Sequence, residues 1–146
     1  MGNCRVILLI VLALVASSDP VAAIAQNGPG FKTPSNNIFC IIVRPPEEAP
    51  ISYLRCDIMQ VNSTAVDKPE GCTLNWGDAF LVAQNGDSGA RICHGDTAKN
   101  NNMRVLPYGR MWKQESFTCA SQADSLTCTN TKGHGFMLSR SLQRVF

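Results

Sequence analysis

The chain is poor in the side chains that most enzyme chemistry needs. It has two histidines, His94 and His134, and no CxxC pair. Structural zinc sites bring their ligands in close pairs. Here Cys40, Cys56, Cys72, Cys93, Cys119 and Cys128 stand 16, 16, 21, 26 and 9 residues apart. No metal site is expected, and no cofactor is called for. Basic residues are interspersed with acidic ones and form no stripe, so the electrostatic footprint of a nucleic-acid partner is missing. No internal repeat is visible. Helical signals are weak as well: residues 100–114 lack a sustained 3.6-residue apolar period, and Pro107 and Gly109 interrupt them.

What is present begins with one apolar run. Residues 6–16 (VILLIVLALVA) follow the single basic side chain of Arg5. A helix needs about 20 apolar residues to span a bilayer, so this shorter run fits the core of a cleaved export signal. Ser17, Ser18, Asp19 and Pro20 end it, and Ala23-Ile24-Ala25 offers small side chains at both positions a signal peptidase reads. Cleavage is expected after Ala25, with Val21-Ala22-Ala23 the poorer site. Cys4 lies before the apolar run, which argues against a lipoprotein anchor. Removing 25 of the 146 residues leaves 121, the size of one domain, with no further transmembrane segment. Loss of Arg5 and Asp19 leaves 12 Lys and Arg against 10 Asp and Glu. The expected organisation is a signal peptide over 1–25, a flexible leader over 26–30 and a single domain over 31–146. Such a chain is exported, to the periplasm or beyond the cell.

An even number of cysteines in an exported chain reads as a disulfide framework. Around them the sequence shows short apolar and β-branched runs broken by turn residues. Residues 37–43 (NIFCIIV) predict a buried strand that Arg44-Pro45-Pro46 stops, and residues 52–58 (SYLRCDI) predict its returning partner. Cys40 then faces Cys56 about a midpoint at Glu48, inside the proline-rich loop. Residues 78–83 and 90–93 flank Asn85-Gly86, a dipeptide that favours the positive φ of a tight hairpin turn. Residues 117–121 and 125–130 form another hairpin about Gln122-Ala123-Asp124, which sets Cys119 opposite Cys128. Cys72 and Cys93 remain for the third bridge. Six cysteines allow fifteen pairings; this one agrees with the hairpins. The fold expected is a mainly β domain, an open barrel or sandwich of short antiparallel strands stapled by disulfides.

Candidate chemistry is thin. His94 and His134 lie in Cys93-His94-Gly95-Asp96-Thr97 and Gly133-His134-Gly135-Phe136. A small hydrolase would draw its acid and base from His94, Asp96 and His134. The plainer alternative is that Asp96 and Thr97 bond their own turn. Gly86-Asp87-Ser88-Gly89-Ala90 is similar to the nucleophile loop of chymotrypsin-like proteases, but both histidines follow the serine and the chain is too short for a double barrel. Phe146 after Leu142 and Val145 resembles the end of an outer-membrane barrel, yet the strands are too few and too short. Asn62-Ser63-Thr64 matches a glycosylation sequon. Trp76, Phe80, Trp112, Phe117 and Phe136 are best read as core aromatics. An exposed groove, if built near them, would use Tyr108, Trp112 and the His134 loop.

An ordered set of motifs spans the mature chain. It opens with Phe31-Lys32-Thr33-Pro34-Ser35-Asn36-Asn37-Ile38 and continues through Leu54-Arg55-Cys56-Asp57-Ile58, Trp76-Gly77-Asp78-Ala79 and Arg91-Ile92-Cys93-His94-Gly95-Asp96-Thr97. Leu106-Pro107-Tyr108-Gly109, Phe117-Thr118-Cys119 and Leu126-Thr127-Cys128-Thr129-Asn130 follow, and Gly133-His134-Gly135-Phe136-Met137-Leu138-Ser139-Arg140 closes it. In these the chain resembles an uncharacterised family of small secreted bacterial proteins, a domain of unknown function. The resemblance implies a bacterial, exported, cysteine-bridged single domain and no particular activity. Asn36 stands where a glycine is common, and asparagine tolerates the same left-handed geometry. The favoured function is a non-enzymatic binding or interaction module of the cell envelope, with an envelope or extracellular partner. An inhibitor of a cell-wall hydrolase is a close variant.

Overall fold

The computed structural model describes residues 29–46, 51–62 and 66–146. The expected signal peptide, most of the expected leader, Glu48 and the Ser63-Thr64 part of the sequon lie outside the described residues. Among these residues there is no helix, and none therefore long and apolar enough to cross a membrane.

Ten strands form two antiparallel sheets of five. The first holds β1 (Gly30–Lys32), β2 (Ile38–Val43), β3 (Tyr53–Ile58), β4 (Ala79–Ala83) and β5 (Gly89–Arg91) in that order. The second holds β6 (Met111–Gln114), β7 (Phe117–Ser121), β8 (Leu126–Thr129), β9 (Gly135–Leu138) and β10 (Gln143–Val145), again in chain order. All six predicted runs are strands, as β2, β3, β4, β5, β7 and β8. The predicted bridges are all present: Cys40–Cys56, Cys72–Cys93 and Cys119–Cys128. Four short strands, β1, β6, β9 and β10, are additional. β1 begins at Gly30, the last residue of the expected leader.

The sheets share one plan, which corrects the reading that the chain contains no internal repeat. In the first sheet Phe31 faces Cys40, Cys40 faces Cys56, and Cys56 faces Phe80 across β1 to β4. In the second, Trp112 faces Cys119, Cys119 faces Cys128, and Cys128 faces Phe136 across β6 to β9. Each row reads aromatic, cystine, aromatic, and each lies on the inner face of its sheet. The rows meet in the core. The Phe31 and Trp112 rings are 5.0 Å apart and the Phe80 and Phe136 rings 6.0 Å. Between them the sulfurs of Cys40, Cys56 and Cys128 lie within 4.8 Å of one another. These sulfurs are spent in disulfides, so their approach is packing rather than a metal cage.

Backbone geometry repeats too. Asn36 (φ 53°) and Glu115 (φ 52°) are the non-glycine residues with positive φ, each two residues before its strand, β2 or β7. Gly77 (φ 112°) and Gly133 (φ 84°) occupy the corresponding place before β4 and β9. Left-handed backbone is costly for most side chains, and Asn is among the more tolerant. At Asn85-Gly86 the expectation fails. Neither residue has positive φ, and the Gly86 N–H donates to the Ala83 carbonyl at 3.1 Å within a wider loop. The connection between β4 and β5 runs over five residues, 84–88, and that length relieves the need for a two-residue turn.

The sheets also touch at one seam. The N–H groups of Gly89 and Gly135 both donate to the Phe146 carbonyl, at 2.8 and 2.7 Å. A Cβ on Gly89 would collide with the Gly135 carbonyl, so close backbone approach fixes glycine there.

Candidate functional site

The outer face of the first sheet carries an ion network. Side chains alternate along a strand, so Arg55 and Asp57 project together from β3, away from the Cys56 core face. In an otherwise apolar strand this would leave two charges to solvent, but the segment around residues 92–98 folds over them. Cys72–Cys93 and a backbone bridge between Asn75 and His94 hold that segment in place. Asp57, 1% exposed, accepts from Arg55 Nε at 2.8 Å, from Arg55 Nη2 at 3.0 Å and from the Ala98 N–H at 2.7 Å. Arg55 also donates to the Asp96 carboxylate at 2.7 Å and to the Asp96 carbonyl at 3.0 Å.

His94 completes the network, and its protonation follows from its partners. Nδ1 lies 2.6 Å from the Asp96 carbonyl, which only accepts, and 3.3 Å from Arg55 Nη2, which only donates; the shorter contact favours a proton on Nδ1. Nε2 lies 2.7 Å from Asp78 Oδ1, and a bare nitrogen there would set a lone pair against a carboxylate. Two oxygen acceptors at the ring nitrogens favour the protonated form. Burial alone would lower its pKa, but the hydrogen bond to Asp78 and the one to the Asp96 carbonyl outweigh it and raise the value. Arg55 follows the same pattern, with burial opposed by Asp57 and Asp96 and a net upward shift. The Arg55 hydrogen bond pulls Asp96 below the ordinary carboxylate range. Both His94 nitrogens are taken up by fixed protein partners, so neither faces a substrate for general-base work.

The expected trio is therefore divided. The structure brings His94 and Asp96 together, but the contact runs through the Asp96 backbone, and the Asp96 carboxylate serves Arg55. His134 belongs to a different neighbourhood, the turn before β9. Asn130 organises that turn: its Oδ1 accepts from the Lys132 and His134 N–H groups, at 3.0 and 3.1 Å. Its Nδ2 reaches across to the Ala83 and Gly86 carbonyls, at 3.0 and 2.8 Å. Lys132 adds an ion pair to Asp87 at 2.8 Å. The hydrogen bonds around His134 share no residue with those around His94.

A cleft of about 500 Å³ opens at the end of the sandwich opposite that turn's clamp. Its walls are the β1–β2 turn, with Thr33 and Ser35, the β7–β8 turn, with Gln122 and Asp124, and the β9–β10 turn, with Ser139 and Arg140. Tyr108, 42% exposed, stands at its side, and Ile38 and Leu138 form a buried apolar floor. Of the three groove residues expected from the sequence, Tyr108 is here and His134 is not. Trp112 is 1% exposed, inside the core against Phe31, and presents no face to a ligand.

Sequence reasoning missed Arg55, Asp57 and Asp78 as the partners of His94. The signal was present as two charges at period 2 in a strand that is otherwise buried. It also missed Gln122, Ser139 and Arg140, since nothing in turn composition announces which turns will converge. A family model described as a family of unknown function, DUF6636, matches residues 6–146. Comparison with curated proteins and with solved structures finds no match.

Proposed function

The chain belongs to DUF6636, a family of unknown function, and on that premise we propose that it is a non-enzymatic binding module, exported to the bacterial cell envelope, that takes a small polar ligand in the turn-walled cleft. The observation that carries this reading is the contrast between the chain's two polar assemblies. The network around His94 is saturated, each charged group being held by another, which suits a staple rather than a reacting centre. The cleft differs in keeping unspent groups beside its internally bonded ones. Among the described residues, the side chains of Tyr108, Gln122 and Arg140 have no hydrogen-bond partner within the protein. Ligand sites pair a formed concavity with a few unspent polar groups, and volumes of about 300–1,000 Å³ are usual.

Three disulfides and the apolar run before Ala25 support the exported half of the reading. The mass of the secreted protein checks it: residues 26–146 less six hydrogens is expected, and an uncleaved or reduced chain would refute it. For binding, amide shifts are mapped against three probes: maltotriose, trialanine and inorganic phosphate. Saturable shifts centred on Tyr108, Gln122, Ser139 and Arg140 from any of them support the module. If all three leave those amides unmoved at millimolar concentration, the cleft is not a receptor and the reading fails.

A further inference from the structure

We infer that the ligand of the cleft is a neutral oligosaccharide; this rests on the reading of the cleft as a receptor and narrows it to a class. The first argument is donor and acceptor chemistry. Eleven of the fourteen residues lining the cleft have polar side chains. Those of Thr33, Asn37, Ser125 and Ser139 already bond within the protein. The groups the cleft offers a ligand include the Tyr108 phenol, the Gln122 amide and the Arg140 guanidinium. Serine, threonine and tyrosine hydroxyls both donate and accept, as do the amide side chains taken whole. A ligand matched to such a wall is itself made of groups that both donate and accept, which describes sugar hydroxyls. A phosphate or carboxylate ligand calls for donors alone, and an ammonium for acceptors alone. Here the Arg140 guanidinium is a donor alone, while the Tyr108 phenol and the Gln122 amide each donate and accept.

The second argument separates sugars from peptides. Extended peptides are bound by adding a strand to a free sheet edge, with pockets for alternate apolar side chains. The cleft is walled by turns, so no ladder of free backbone groups faces it. Its apolar surface is made by the Ile38 and Leu138 floor, Ala123 and the Tyr108 ring. A flat aromatic beside hydroxyl-bearing turns suits the apolar face of a pyranose ring, with polar groups left for its rim.

The third argument is rigidity. The turns are fixed by their own bonds: the Ile38 N–H donates to Thr33 Oγ1 at 3.1 Å, and the Gln60 N–H to Asn37 Oδ1 at 2.8 Å. The Leu142 N–H donates to Ser139 Oγ at 2.9 Å. A frame fixed in this way spares a ligand the cost of ordering the turns, leaving only the exposed side chains such as Tyr108 and Gln122 to be immobilised.

The test titrates the full mature protein with maltotriose and with triacetylchitotriose, and separately with trialanine. At least one trisaccharide is expected to shift the cleft amides saturably. Tyr108→Ala and Gln122→Ala should each weaken that binding about tenfold, with the melting temperature unchanged because both side chains are exposed. If trialanine shifts the cleft and neither trisaccharide does, the sugar assignment falls and the binding module stands. If neither these probes nor inorganic phosphate shifts the cleft, both fall. Sugar binding that survives both substitutions at full strength also overturns the assignment, because the ring and amide it relies on are then not used.

Discussion

The two sheets are built on the same inner row and differ on their outer faces. Arg55 and Asp57 flank Cys56 on β3, and Thr127 and Thr129 flank Cys128 at the matching places on β8. On the first sheet these positions carry a buried ion network under a segment tied down by Cys72–Cys93. On the second they carry half-buried hydroxyls with no such cover. The inner rows answer to a shared demand, since each must fill the space between the sheets with rings and sulfurs. The outer faces answer to separate ones. Long connections in the first half had to be anchored somewhere, and a charged pair beneath a loop does this without enlarging the core.

That contrast can be broken most sharply at Asp57. Asp57→Ala strands the Arg55 charge beneath the loop, and about 3–5 kcal/mol of stability should be lost in a denaturant titration. Thr129→Ala, the matching change on the second sheet, should cost no more than about 0.5 kcal/mol. Equal losses would mean that the network is not what anchors the loop.

The cystines come next. Removing Cys40–Cys56 or Cys119–Cys128 by paired alanine substitution should each cost about 2–4 kcal/mol. Their loops span 16 and 9 residues, so chain entropy makes the first loss larger by about 0.5 kcal/mol. A reversed order would show that local strain or packing, not loop length, separates the halves.

The first sheet alone should respond to mild alkali. His94 has a raised pKa, so its contribution is complete below the ordinary imidazole value of about 6.5. That contribution is lost as pH rises through the folded-state value. For Asp96 the sign is opposite: its pKa is lowered, and its contribution disappears as pH falls below the ordinary carboxylate range. Stability measured against pH should therefore decline on both sides, and His94→Gln should flatten the alkaline decline only. The smallest effect is expected at the cleft, where Tyr108→Ala should change stability by less than about 0.5 kcal/mol.

The strands that were legible in the sequence are those long enough to show a pattern, such as residues 37–43 and 117–121. β1 and β10 have three residues each and β9 runs through Gly135, too little for alternation to register. The repeat was hidden because its spacing is unequal: 16 residues separate one cystine and 9 the other. Only register aligns Phe31 with Trp112 and Phe80 with Phe136. Asn36 was the reverse case: the family resemblance has a glycine there, asparagine tolerates the same geometry, and the backbone is left-handed. The cleft was the least legible feature, because Thr33, Gln122 and Ser139 belong to three separate turns whose meeting is a property of the folded whole.

The placement of the three disulfides has a further consequence. Cys40–Cys56 and Cys72–Cys93 close within the first half and Cys119–Cys128 within the second, and the chain passes between the sheets once, from β5 to β6. Residues 99–102 on that passage are exposed. A single proteolytic nick there would release two fragments that no covalent bond joins, each with its own cystine. Their cohesion would be that of a complex, with an affinity, a dissociation rate and a capacity to exchange halves between molecules.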